Sequence, residues 1–396
     1  MAKESFKYKI VLKYINSYNT EIEINSEQIQ HVVIDKDFDN NNFPVIGITG
    51  AIDKNVLDDM IINMNDNIIT LGIYSYDIAN QNDSITEKYF NDRFLYIIDE
   101  DISKTSELDY PDGEDNPGLY KDVTIWLLPQ DAVNNNRQSI NGIFKNATTN
   151  TLILQTSNYL GRTLLEPVTY DNKYKQIIIP PQESISEYIA YLNNNLSVFY
   201  DTGYRFFIDF DMTYIMSTSG KIVKTRDQNI FTVDINISES IIPDDADEEG
   251  MVVDIKRNKY VITVNRAHSW CNRNRISNKI VNKLTVIDSS GNVTERVLQD
   301  NQTKSTTLIN RIINLSNTDS NAINNLSNTI QSNNVTLTIV KNDLDASIFT
   351  MNKEYIITDP AHDEYNGRYL LTSVKQLFTN QMDYFTMTVI LNFRKI

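Results

Sequence analysis

The chain has 396 residues and a formal net charge of −16, from 52 acidic and 36 basic side chains. This length allows roughly two to four domains with separate cores, and the acidic excess disfavours a protein whose main task is to grip nucleic-acid phosphates. Cys271 is the single cysteine, so no internal disulfide can form and packing must hold the fold. Because there is no signal-peptide core and no apolar run near the roughly 20 residues of a membrane span, we expect a soluble protein made in a reducing cytoplasm.

The first hundred residues alternate apolar and polar side chains in short runs, which is the pattern of strands with one buried face. Asp53 is suited to cap a helix that continues to Met64. We therefore predict a β-rich first domain with one helix. Its predicted strands are 6–15, 21–24, 28–34, 43–49, 68–76 and 89–98.

The middle of the chain begins with an acidic segment, 99–121, whose Pro and Gly residues are typical of a solvated loop and a domain boundary. A strand at 123–128 and a helix at 132–146 are predicted next. The strand at 177–181 ends in two prolines, which remove ladder donors. Ser184 and Glu187 then have the spacing of a capping box for a helix with an apolar stripe from Ile185 to Phe199.

Further strands are predicted at 205–212, 229–237 and 251–264, and a hairpin joins 284–287 to 293–298 through a Ser-Ser-Gly-Asn turn. Residues 305–315 and 321–330 space their apolar side chains as amphipathic helices do. Both helices are rich in Asn and Ser, which are poor helix formers.

The end of the chain is the most regular part. Runs at 335–340, 355–358, 368–378 and 383–394 read as four strands, and the last two form an antiparallel hairpin. In the third run, strict alternation places Leu370, Val374 and Phe378 on one face, with Tyr369 and Leu371 on the other. These strands predict a small antiparallel sheet or barrel.

Few residues have the spacing of a chemical site. The three histidines, His31, His268 and His362, are far apart, and His268 with Cys271 is the closest approach to a zinc pair. Ordinary packing or exposure is the favoured interpretation. We therefore predict no metal site, no cofactor and no catalytic residue.

Carboxylates offer two further candidates. Asp209 and Asp211 share a strand face, the spacing of an acid/base pair, but the polar face of an amphipathic strand explains them better. The acidic runs 112–115 and 244–249 lack the regular calcium-loop pattern and are interpreted as solvated loops.

A locally basic segment stands out in this acidic chain, at 266–283. It is suited to contact an acidic subunit or nucleic acid, although charge runs are usually solvated faces. Its basic residues are Arg266, Arg273, Arg275, Lys279 and Lys283.

Two blocks resemble the baseplate hub proteins of tailed, contractile bacteriophages. The first is C-terminal, with Asn352-Lys-x-Tyr-x-Ile357, Asn366-Gly-x-Tyr-x-Leu371 and Phe385-Thr-Met-Thr-Val389. The second runs from Leu165-Glu-Pro167 through the double proline to Tyr200-Asp-Thr-Gly203 and the aromatic strand that follows. Together they cover about a third of the chain, which departs from the family pattern in its long acidic segments.

The resemblance implies an α+β, β-rich fold with two similar antiparallel β-barrel tube domains and additional α/β insert domains. The first tube domain would span 1–105 and an α/β outer domain 106–203. The second tube domain would be discontinuous, drawn from 204–265 and 335–396, with a hairpin-plus-helices insert at 266–334.

The function implied is that of a structural virion protein rather than an enzyme. A homotrimer would form a pseudo-sixfold ring that joins the sixfold tail tube, or its initiator proteins, to the trimeric central spike. Baseplate wedge or peripheral proteins would surround this ring, and DNA would pass through without specific binding. The alternatives are a tail-associated cell-wall hydrolase and a receptor-binding tail protein. The protein would be assembled in the host cytoplasm and reside in the virion.

Overall fold

The fold is dominated by strands, as seen in a computed structural model of the chain. It describes residues 7–39, 41–64, 67–76, 87–99, 120–169, 171–196, 199–200, 203–210, 212–218, 232–238, 250–254, 257–273, 281–288, 291–297, 309–315, 335–342, 344–382 and 384–396. The strands of the first half are β1 Lys7–Ile15, β2 Glu21–Ile24, β3 Ile29–Asp37, β4 Val45–Asp53, β5 Ile68–Tyr76, β6 Glu87–Asp99, β7 Tyr120–Leu128, β8 Gly142–Thr148, β9 Thr163–Leu165 and β10 Lys173–Ile179.

The second half continues in the same way. Its strands are β11 Tyr204–Ile208, β12 Thr213–Ser217, β13 Thr232–Ser238, β14 Gly250–Asp254, β15 Lys259–Asn265, β16 Ser269–Arg273, β17 Val281–Asp288, β18 Val293–Val297, β19 Ile309–Leu315, β20 Val335–Asn342, β21 Glu354–Thr358, β22 Gly367–Asn380 and β23 Phe385–Lys395. The α-helices of the described chain are short: α1 Lys54–Ile62, α2 Gln130–Arg137, α3 Thr149–Ile153 and α4 Ile185–Tyr191.

One 15-stranded sheet contains most of these strands. Within it, the pairings β22-β3-β4-β7-β6-β5-β1-β23 return to their start, because β22 also pairs with β23. The narrowest joint is between β1 and β23, which meet at Tyr8 and Phe385. The N-terminal strands and the C-terminal hairpin therefore form a closed ring of eight strands.

The same hairpin carries a second set of strands. β21, β13, β15 and β14 extend the sheet from β22, while β20 and β16 extend it from β23. β13 runs parallel to both β15 and β21, which departs from the purely antiparallel arrangement predicted. The predicted β-rich fold is confirmed, and the division into two barrels stays a prediction.

A β-bulge in β22 separates its two partners. Residues 367–369 pair with β21 and residues 373–379 pair with β3, while the register against β23 shifts between Leu371 and Ser373. The extra residue changes the phase of alternation. Tyr369 and Leu371 therefore join Val374 and Phe378 in the same core, and the strict alternation predicted for this strand was wrong.

The larger hydrophobic core is continuous across both strand sets. It contains Leu12 and Ile48 from the ring, Val233 and Leu337 from the second set, and Phe393 from the shared hairpin. A second core lies under the middle segment, where α4 packs Tyr188 and Ile189 against residues of α3, β11 and β12. This middle segment carries the ribbon β10-β8 and the small sheet β11-β12-β9.

The helix ends follow the sequence closely. The Asp53 carboxylate accepts from the N–H groups of Asn55 and Val56, which confirms the predicted N-cap. The Ser184 hydroxyl accepts from the N–H of Glu187, but the Glu187 carboxylate accepts from the N–H of Glu183, one residue before the cap. The predicted capping box therefore forms on one side.

Two predicted helices differ from the structure. The segment 132–146 divides into α2, which ends at Arg137, and strand β8. Residues 309–315, predicted as part of a helix, form β19, which pairs with β17. Runs of Ile and Asn tolerate either state, and here the sheet pairing overrides the helical spacing. The predicted helix 321–330 lies outside the described residues, whereas the predicted hairpin of β17 and β18 is confirmed.

We predict that Gly50→Ala destabilises the fold. A Cβ on Gly50 would lie 2.4 Å from the carbonyl oxygen of Gln28, a backbone atom that cannot move aside. Overpacking of this kind costs about 1–3 kcal/mol, which urea unfolding measures as a lower midpoint at an unchanged slope.

The matched control is Gly47→Ala. Its Cβ would meet the ring of Trp126 at 2.9 Å, and that ring is partly exposed and can shift. We expect a cost of about 0.5 kcal/mol or less. Equal losses for the two variants would contradict this interpretation of Gly50.

Candidate functional site: a charged junction and two exposed sheet faces

A buried arginine holds the bulge of β22. The Arg205 guanidinium donates from Nη2 to the carbonyl oxygen of Leu371 at 2.6 Å and lies 3.4 Å from Oδ1 of Asp39. Arg394 lies 3.2 Å from the other oxygen of Asp39, and the N–H of Phe38 donates to the carbonyl of Thr372 at 2.9 Å. The end of β3, the bulge and β11 are therefore joined at one charged junction.

The electrostatics of this junction favour a structural role. Burial lowers the pKa of Arg205 to about 10, and the Asp39 charge opposes that shift, so the guanidinium stays charged at neutral pH. A buried cation needs a counter-charge and hydrogen bonds. Asp39 and the bulged backbone carbonyl supply both.

Asp209, one of the two carboxylates considered for acid/base chemistry, lies beside this junction. It follows β11 and is buried, with Oδ1 accepting from Lys36 Nζ at 2.7 Å and from the N–H of Phe210 at 2.8 Å. The prediction that it lies on the polar face of an amphipathic strand was wrong. Asp211 lies outside the described residues.

Arg266, the first residue of the basic segment 266–283, forms an ion pair within the fold. Arg266 forms two hydrogen bonds to the buried carboxylate of Asp359, one of them at 3.1 Å, and its Nη1 lies 2.9 Å from Nδ1 of His362. Burial would raise the pKa of Asp359, but the Arg266 hydrogen bonds, the N–H of Ala361 and the nearby charges hold it below its usual value. This ion pair joins the residues just before β16 to the residue just after β21.

The other basic residues of that segment are placed less fully. Arg273 and Lys283 belong to β16 and β17, and Arg275 and Lys279 lie outside the described residues. The acidic runs 112–115 and 244–249 lie outside them too.

The metal-ligand candidates belong to several elements of the fold. His31 lies on β3, His268 immediately precedes β16, Cys271 lies on β16, and His362 contacts the Asp359 pair. In the part of the chain that the structure describes, no three potential ligands come together around a common point. Nor does any described helix have the length and apolar character to span a membrane.

Two sheet faces expose apolar side chains that the sequence did not single out. On the outer face of the ring, Ile97 of β6 and Trp126 of β7 are register partners and are 50% and 40% exposed. On the ribbon, Ile143 of β8 and Ile178 of β10 are register partners and are 61% and 66% exposed. Alternation along one strand does not identify such pairs, because two exposed apolar residues become neighbours only when their strands pair in the folded protein.

A family model for the bacteriophage PBS1 gene 109 protein matches residues 2–396. The chain belongs to this family. No curated protein matches it.

The fold of this PBS1 gene 109 family member is similar to that of solved tail proteins. The tail protein from Neisseria meningitidis MC58 has a TM-score of 0.51 at 9% identity, over 97% of this chain and 96% of that one. The 43 kDa tail protein of prophage MuSo2 from Shewanella oneidensis has a TM-score of 0.49 at 10% identity, over 98% of both chains. The family and fold confirm the resemblance to phage tail proteins.

We predict that Arg205→Met lowers the free energy of unfolding by about 3 kcal/mol, since it leaves the Leu371 carbonyl without its buried donor and Asp39 with Arg394 as its remaining partner. Lys375→Met is the control, because Lys375 pairs with Asp35 at 3.5 Å on the surface. Exposed pairs contribute about 1 kcal/mol or less. Urea unfolding of both variants is the measurement, and similar losses would refute the importance of the junction.

The Arg266 and Asp359 pair predicts a pH dependence. Since the folded pKa of Asp359 is depressed, its stabilisation is present above the unfolded pKa and is lost as pH falls through the folded pKa. Arg266→Met should therefore be less stable than the parent at pH 7, with a gap that narrows as pH falls below about 4. Unfolding midpoints across this range test it, and a gap independent of pH would be the contrary result.

Proposed function

We propose that this protein is the hub of a phage tail baseplate: a homotrimer whose ring joins the tail tube to the central spike. The observation that carries the proposal is the architecture of the 15-stranded sheet, in which a closed ring of eight strands and a second strand set share one hairpin. Two tube-like units in each of three copies would present six units to a sixfold tube. The tail-protein fold and the phage family support this assignment.

The charged groups described above suit an assembly component better than a hydrolase. A glycosidase needs two carboxyl groups about 5–9.5 Å apart across a cleft. Asp209 and Asp359 are instead each buried against a cation, Lys36 and Arg266. These pairs bind segments that are distant in sequence, which is a structural use of charge.

The continuous core suits mechanical transmission along the tail axis. Side chains of the ring and of the second strand set pack in one core. A displacement of either part therefore strains the other, and the two parts do not hinge freely. The net charge of −16 favours passage of DNA without trapping it, because phosphates are repelled by an acidic lining.

The proposed partners follow from this place in the virion. They are the tail tube or its initiator proteins above, the central spike below, and wedge or peripheral baseplate proteins around the ring. Assembly would take place in the host cytoplasm.

The test is a cryo-EM reconstruction of the tail of the phage that encodes this chain. We expect three copies around the tail axis, at the junction between tube and spike, with the shared hairpin in the ring wall. Six copies, or a position in fibres or the head, would refute the hub assignment. Retention of the purified chain by cell-wall material would instead favour a receptor-binding protein.

A further inference from the structure

The first exposed face lies on strands β6 and β7 of the ring. Trp126 lies over Gly47 of the neighbouring strand β4, whose missing side chain leaves room for the indole ring. Ile97 pairs with Trp126 across the strands. Two residues further along β6, Asp99 is exposed on the same side. Arg93 is also exposed on that side, four residues before Ile97. The face is therefore an apolar pair bordered by a negative charge at the end near Asp99.

The second exposed face lies on the ribbon of β8 and β10 and has the opposite charge. Ile143 pairs with Ile178 across the strands, and two residues along β8 the exposed Lys145 pairs with Gln176. Lys173 and Lys175 are exposed on β10 as well, but alternation places them on the side of Ile177. The other side of the ribbon packs Phe144 and Ile177 against the second core, which holds the face in place.

The two faces match in pattern. Each is a sheet surface with one directly opposed apolar pair, followed two residues later by a charge, Asp99 on one face and Lys145 on the other. An apolar centre with a charged rim is the usual anatomy of a protein interface. Opposite charges on otherwise similar faces also select one pairing and disfavour each face meeting itself.

We propose that the ring face of one copy, Ile97, Trp126 and Asp99, docks on the ribbon face of a second copy, Ile143, Ile178 and Lys145. Because the two faces differ, the contact is head-to-tail, and such contacts close into rings when the rotation between copies permits. The proposal deepens the homotrimer of the proposed function and rests on it for the number of copies. It identifies the surfaces that hold neighbouring copies together.

The first experiment measures self-association of the full chain by sedimentation velocity over a range of concentrations. Asp99→Lys and Lys145→Glu each place like charges across the contact, and we expect each to weaken association by roughly tenfold or more. Glu23→Lys and Lys9→Glu are matched controls, since both change exposed charges on β2 and β1 outside the two faces. The controls should associate as the parent does.

Mixtures and the double variant test the pairing of the two faces. Both contacts between a D99K chain and a K145E chain join opposite charges, so an equimolar mixture should associate more strongly than either variant alone. A ring of three still contains one contact between two chains of the same kind, so this recovery should be partial. The double variant D99K/K145E should recover more fully, because opposite charges then meet at all three contacts. Ile143→Ser with Ile178→Ser should weaken association without rescue by either charge variant.

These experiments distinguish failure of the docking proposal from failure of the hub assignment. A parent chain that remains monomeric at all concentrations would overturn the docking proposal. Self-association that neither charge reversal weakens would overturn it too. Cryo-EM of the tail judges the hub assignment separately, since three copies at the junction of tube and spike could be held through other surfaces. Association through these two faces by a chain that is absent from the baseplate would refute the hub assignment and leave the docking contact in place.

Discussion

The pairing of β22 with β23 is the interaction on which the rest of the structure depends. This hairpin closes the ring of eight strands at one end and begins the second strand set at the other. A single hairpin serves two sheets with different neighbours because the bulge at Leu371 to Ser373 bends β22 and shifts its side-chain phase. Without that extra residue, either Tyr369 and Leu371 or Val374 and Phe378 would leave the core.

Charge reinforces the hairpin where backbone pairing is interrupted. The bulge leaves the carbonyls of Leu371 and Thr372 available, and Arg205 and the N–H of Phe38 use them. Arg205 belongs to the middle segment, whereas Phe38 follows β3 in the ring. The junction therefore joins the middle segment to the seam between the two strand sets.

Local pattern predicted much of the fold, and its limits are physical. Period-two alternation located most strands, including β5 and β17, and Asp53 and Ser184 correctly marked helix starts. A bulge adds one residue without a distinctive sequence, so strict alternation assigns the wrong faces to the residues of β22 on the N-terminal side of the bulge. The Ile and Asn residues of β19 fit a helix or a strand, and pairing with β17 decided between them. The partners of Arg205 and Asp209, and the pairing of Trp126 with Ile97, depend on contacts between distant segments, which one sequence does not encode in any local pattern.

The closed ring also sets an order of events during synthesis. β7 ends at Leu128, whereas β22 begins at Gly367, so the ribosome produces the first six strands of the ring long before the two that close it. Until then β1 and β3 have unsatisfied edges, which are sites for wrong pairing between nascent chains. Folding that depends on such distant contacts is slow. A chain interrupted before its last hairpin cannot complete either strand set. Such a chain could not enter an assembly that recognises the finished ring.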